Sequence, residues 1–125
     1  MDYKVTYTIK DNYLHASVEG RNSPQTVQEY LKEISEKCLR LQCKKVLIEE
    51  NLEGPGLDTI AIFDIVERAS KNPPMKFKIA FIDLNENHDT ASMQFAETVA
   101  VNRGMDVKQF SNYHDAEGWL LYDRS

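Results

Sequence analysis

Basic charge is in short supply in this chain. Fifteen Lys and Arg stand against twenty Asp and Glu, a formal net charge of −5. Nucleic acid and anionic membrane both select a basic footprint, so neither is an expected partner. Long apolar stretches are missing too. Continuous apolar runs reach only a handful of residues, far short of the ~20 that a membrane-spanning helix needs. Met1-Asp2-Tyr3-Lys4 leads straight into an alternating pattern, unlike a signal peptide with its charged start and apolar run. Cysteine is limited to Cys38 and Cys43. One pair makes no disulfide framework, and two Cys five apart without a nearby His form a poor zinc site. Two free thiols in a reducing cytoplasm is the reading that fits.

What is present is an ordinary globular composition. Hydrophobic residues are 42% and charged residues 28% of 125, enough for one domain over residues 1–125 with a real core. Tyr3 to Ile9 alternates apolar and polar, and Tyr13 to Glu19 does so again after Lys10-Asp11-Asn12. Two such runs joined by a short turn read as an antiparallel hairpin. Ser23-Pro24 opens a helix as N-cap and first helical residue. Val27, Tyr30, Leu31, Ile34, Cys38 and Leu41 then form one stripe at helical spacing. Lys45 to Glu49 is a third strand, and Asn51 to Leu57 is a loop marked by Gly54-Pro55-Gly56. Asp58 caps a helix to about Lys71, stopped by Asn72-Pro73-Pro74. Lys76 to Asp83 is the fourth strand. Asn87 or Asp89 caps a helix to Arg103, which Gly104 ends. Met105 to Phe110 and a last helix capped by Ser111 complete the order β-β-α-β-α-β-α-β-α. That order demands a mostly parallel five-stranded sheet of the α/β class. Because the first, second and fourth strands alternate, the helices are expected mainly on one face, with much of the other face wet.

The order, with its amino-terminal hairpin, resembles the SpoIIAA-like fold of STAS domains and anti-sigma-factor antagonists. Lys44-Lys45-Val46-Leu47-Ile48 leading into Glu53-Gly54-Pro55 strengthens the match. So do Phe95-Ala96-Glu97-Thr98-Val99-Ala100 running through Val101-Asn102-Arg103-Gly104, and Phe110-Ser111 followed by Ala116-Glu117-Gly118-Trp119-Leu120. Together they look like the small, uncharacterised bacterial SpoIIAA-like, STAS/Sec14-related proteins, over nearly the whole chain. The resemblance implies a non-enzymatic regulatory or interaction module that engages a protein through the loop and helix after the third strand. Its Sec14-related side implies the alternative, a small-ligand binder for a lipid-like or apolar molecule. Antagonists of this kind place a phosphorylatable Ser or Thr at the start of that helix. Here the stretch reads Glu53-Gly54-Pro55-Gly56-Leu57-Asp58, without a hydroxyl before Thr59, so the phosphoswitch is not carried over.

The residues themselves offer little chemistry for an enzyme. Gly54-Pro55-Gly56 enters a helix but lacks the GxxxxGK[ST] pattern of a phosphate loop. It reads more plainly as a tight turn. Glu49, Glu50, Glu53, Asp58 and Asp83 are expected near the carboxyl ends of two parallel strands, where a hard cation is one use and solvated charge the plainer one. His15, His88 and His114 are scattered, with no HExxH, and no serine stands in a GxSxG setting. No catalytic residue, cofactor or metal site is expected. The best signal is on the helix after the loop. Advancing 100° per residue from Leu57, an apolar arc of Ala61, Ile62, Ile65, Val66 and Ala69 faces the sheet. Leu57 and Ile60 fall on the polar side, Phe63 lies at its edge, and Leu52 precedes them. Leu52, Gly54, Gly56, Leu57, Ile60 and Phe63 are therefore the expected partner-binding surface, serving another protein or a weak homodimer.

Overall fold

The computed structural model describes residues 2–71 and 77–122. The expected helix stop at Asn72-Pro73-Pro74 and the strand start at Lys76 lie outside the described residues. Nine elements follow in the expected order: β1 (Tyr3–Ile9), β2 (Leu14–Arg21), α1 (Pro24–Leu41), β3 (Lys45–Glu53), α2 (Thr59–Lys71), β4 (Lys78–Asp83), α3 (Thr90–Asn102), β5 (Asp106–Phe110) and α4 (Tyr113–Leu121). They form an α/β fold whose sheet has the order β1-β2-β3-β4-β5. The first pair is antiparallel and the remaining three are parallel.

This order explains the layering. From β2 onward the chain always steps in the same direction across the sheet. Right-handed crossovers then put every connecting helix on one side. Val46, Ile48 and Leu52 of β3 and Ile79 of β4 share that side with Leu14, Ala16 and Val18 of β2, and Tyr30, Ile34 and Cys38 of α1 close over them. α4 follows the last strand, so no crossover constrains it, and it folds back onto the opposite face. There Ala116 and Leu120 bury Leu47, Ala80 and Ile82. Lys78 Nζ donates to the carbonyls of Trp119 and Tyr122 at 2.8 and 2.7 Å, a cation placed at the end of α4 where the helix dipole favours it.

Local chemistry accounts for most boundaries. Ser23 accepts from the Thr26 amide at 3.1 Å, with Pro24 in the first turn, which is the capping pattern the sequence contains. Asp89 caps α3 through the Ala91 amide, and Asn112, rather than the expected Ser111, caps α4. The largest departure is β3. It runs on to Glu53 instead of ending at Glu49, because β2 also continues and Gly20 and Arg21 pair with Leu52 and Glu53. The expected wet face is wet only over β1 and β2, where Thr6, Thr8 and Ser17 are exposed. Tyr13 at its edge is buried, its hydroxyl bonded to Tyr113 and to Glu117. Ile9, apolar by alternation, is 71% exposed at the end of β1. Both cysteines are free thiols.

Candidate functional site

Parallel strands present their carboxyl ends together, and here three loops meet at that edge. Adjacent residues of a strand point to opposite faces, so Glu49 and Glu50 separate. Glu49 turns toward α4, with its Oε1 2.6 Å from His15 Nε2. Glu50 turns under the crossover helices, in register with Asp83 of β4. Of the five carboxylates expected at this edge, only Glu50 and Asp83 are brought together. Glu53 is exposed, and Asp58 is occupied as the cap of α2, accepting from the Ala61 amide at 2.8 Å.

Glu50 is 5% exposed, and the buried Tyr30 hydroxyl of α1 donates to its Oε2. Asp83 accepts from His88 Nδ1 at 2.7 Å through Oδ2 and from the Asn85 amide at 2.9 Å through Oδ1. His88 Nε2 reaches the Gly54 carbonyl at 3.0 Å. A carboxylate and a carbonyl only accept, so these contacts require protons on both ring nitrogens and a positive charge on His88. Burial opposes that charge. The bonds to Asp83 and the Gly54 carbonyl, with the charges of Asp83 and Glu50, outweigh it and hold the His88 pKa above its ordinary value. Burial pushes Glu50 up to about 7; the Tyr30 bond opposes this, the Asp83 charge adds to it, and His88 opposes it.

Glu50, Asp83 and His88 each offer a ligand atom, all within 4.8 Å of one another. In this structure His88 Nδ1 is engaged by Asp83 and Nε2 by the Gly54 carbonyl. The arrangement is an internal hydrogen-bonded clasp, tying the loop before α3 to the end of β3 and to the glycine turn. Two further bonds tighten it: Asn85 Nδ2 to the Leu52 carbonyl at 2.8 Å and Asn22 Nδ2 to the Pro55 carbonyl at 2.9 Å. Nothing in the spacing of the three histidines marked His88 for this role. The local signal is Asp83-Leu84-Asn85, whose Asx turn folds the loop back over the strand end.

Beneath this edge, between the sheet and α1 to α3, lies a cavity of about 140 Å³. Ile48, Ile62, Ile65, Ile79 and Ala100 line it, with Tyr30 and Glu50 as its buried polar wall. The outer face of α2 is a separate surface. Ile60 is 81% exposed and Phe63 39%, with the Arg103 guanidinium 5.0 Å from the Phe63 ring. Gly54 and Gly56 are exposed beside them, Gly54 at a φ of 107° that favours glycine. Two expected surface residues are placed otherwise. Leu52 is fully buried in the core because β3 extends through it. Leu57 precedes the first residue of α2, so the helical projection does not apply to it, and it is half-buried against the cavity.

No family model matches the sequence, and no curated protein matches it. Among solved structures, the chain is similar to a Ser-to-Glu variant of RsbS from Moorella thermoacetica, at 15% identity and a TM-score of 0.52, covering 94% of each chain. It is also similar to an uncharacterised DUF3478-family protein with a SpoIIAA-like fold from Shewanella loihica. That match has 16% identity and a TM-score of 0.51, and it covers 94% of this chain and 93% of the other. At such identities the likeness establishes architecture: the fold is SpoIIAA-like.

Proposed function

We propose that the chain is a non-enzymatic interaction module, which docks a protein partner through the glycine turn and the outer face of α2. The observation that carries this is Ile60, a large aliphatic side chain four-fifths exposed one turn from Phe63. Both stand on a helix whose inner face is fixed by Ile62 and Ile65. The turn beside them is held at its first two residues, by Asn22 on Pro55 and His88 on Gly54. An apolar pair on a rigid mount loses little conformational freedom on docking. The clasp is in keeping with the non-enzymatic part of the reading, since His88 and Asp83 are bonded to each other and to backbone groups. The likeness to a fold shared with RsbS is in keeping with a regulatory role.

Affinity capture from native extract tests the proposal, with Ile60→Asp as the control. Ile60 is the better choice than Leu57, whose partial burial would mix folding with docking. A protein retained by the wild type and lost from Ile60→Asp is the expected result. The same proteins retained by both would remove this surface from the account. A second copy of the chain is the simplest partner. Burial returns ~25 cal/mol per Å² before the cost of association, so a patch this small gives a weak homodimer. Light scattering over a hundredfold dilution is expected to show mass falling toward the monomer, and a constant monomer mass up to millimolar concentration would exclude self-association.

A further inference from the structure

The cavity beneath α2 and α3 is nearly all apolar in its walls, yet it is built around a buried acid. Its polar side chains are mostly spoken for. Asn22 donates to the Pro55 carbonyl, Glu97 Oε1 accepts the Gln109 amide at 2.7 Å, and Tyr30 gives its proton to Glu50. Among the described residues no second donor reaches the Glu50 carboxylate, which keeps accepting capacity at the cavity wall.

We infer that this cavity is a binding site for one small, uncharged alcohol, an aryl or short alkyl group carrying a single hydroxyl, with that hydroxyl on Glu50. Size sets the apolar part. A volume of about 140 Å³ is close to that of apolar protein cavities, about 150 Å³, which take a benzene-sized guest. Charge sets the polar part. An anionic guest meets the carboxylates of Glu50 and Glu97, which both line the cavity, and an ammonium would have to leave water for walls that are otherwise almost wholly apolar. A hydroxyl both donates and accepts, so it pairs with Glu50 whether the carboxyl is ionised or protonated. With Glu50 near neutrality in its titration, both forms are populated and a neutral partner is the one that suits each.

Titration of the ¹⁵N-labelled full chain with benzyl alcohol and with toluene tests this. Benzyl alcohol is expected to give saturable shifts at Ile65, Ala96 and Ala100, and to bind about tenfold tighter than toluene, the factor one buried hydrogen bond supplies. Ala96→Leu, which fills the cavity from α3, is expected to abolish both. The double variant Tyr30→Phe/Glu50→Leu removes both polar partners together and is expected to bring the two affinities level. No saturable shift, equal affinities in the wild type, or undiminished binding in Ala96→Leu would each overturn the assignment.

Discussion

Glu50 is the buried acid at this edge, and burial opposes its charge. Its folded pKa, about 7, lies above the ordinary 4.5. Between those values the folded state binds more protons than the unfolded one, so stability falls as pH rises through that window. The loss is on the order of 3 kcal/mol at 1.36 kcal/mol per unit. His88 acts in the same direction: its raised pKa gives stability that is complete below the ordinary His value and lost as pH rises through the folded one. The groups facing Glu50 are Tyr30, Asp83 and His88. Glu50→Gln keeps an acceptor for Tyr30 without the charge. It is therefore expected to be near-neutral at pH 5 and more stable than the wild type at pH 8.5 by urea unfolding. A variant that loses more stability at pH 8.5 than at pH 5 would show instead that the carboxylate is the stabilising form. Glu50 and Asp83 were legible as acids at strand ends, because strand position alone puts them there. His88 was not, because it stands in a loop whose path is set by hydrogen bonds to Asp83 and Gly54 rather than by any periodicity.

Elements were legible wherever one residue type does a local job. Ser23-Pro24 and Asp89 each mark a helix start, and the Gly54-Pro55-Gly56 turn marks the passage from β3 to α2. That same glycine-rich turn draws the sequence boundary of β3 back to Glu49. The strand's continuation depends on pairing with β2, a tertiary fact that overrides local signals. Leu52 went from surface to core on that account alone. Two backbone positions make the element scale testable. At Gly20, φ is 149°, and an added Cβ would lie 2.3 Å from the Asp2 carbonyl oxygen and 2.6 Å from Tyr3 Cα. Gly20→Ala is expected to cost about 1–3 kcal/mol, because the start of β1 must move. Gln42 closes α1 in the left-handed region at φ 54°, where glycine is free of the side-chain penalty. Gln42→Gly is expected to gain about 0.5–1 kcal/mol. Chemical unfolding of the two variants checks both signs, and a destabilised Gln42→Gly would mean that its side chain contributes more than the backbone strain costs.

At the scale of the molecule, a sheet ordered β1 to β5 puts three crossover helices on one face and, among the described residues, leaves α4 for the other. This layering gives α2 two roles. Its inner face lines the cavity with Ile62 and Ile65, and its outer face carries Ile60 and Phe63 into solvent. The helical period made both faces readable in the sequence, whereas the cavity between helices and sheet follows from packing and left no trace in spacing. The proposed function requires that the outer face of α2 meet a protein. Site-specific photocrosslinking in the native cell tests it most directly, with benzoylphenylalanine replacing Ile60 and, as the control, Ser17 on the exposed part of the opposite sheet face. Protein adducts from position 60 and none from position 17 are expected. Adducts from position 17 alone, or none from position 60 while the folded protein is present, would contradict the proposed function.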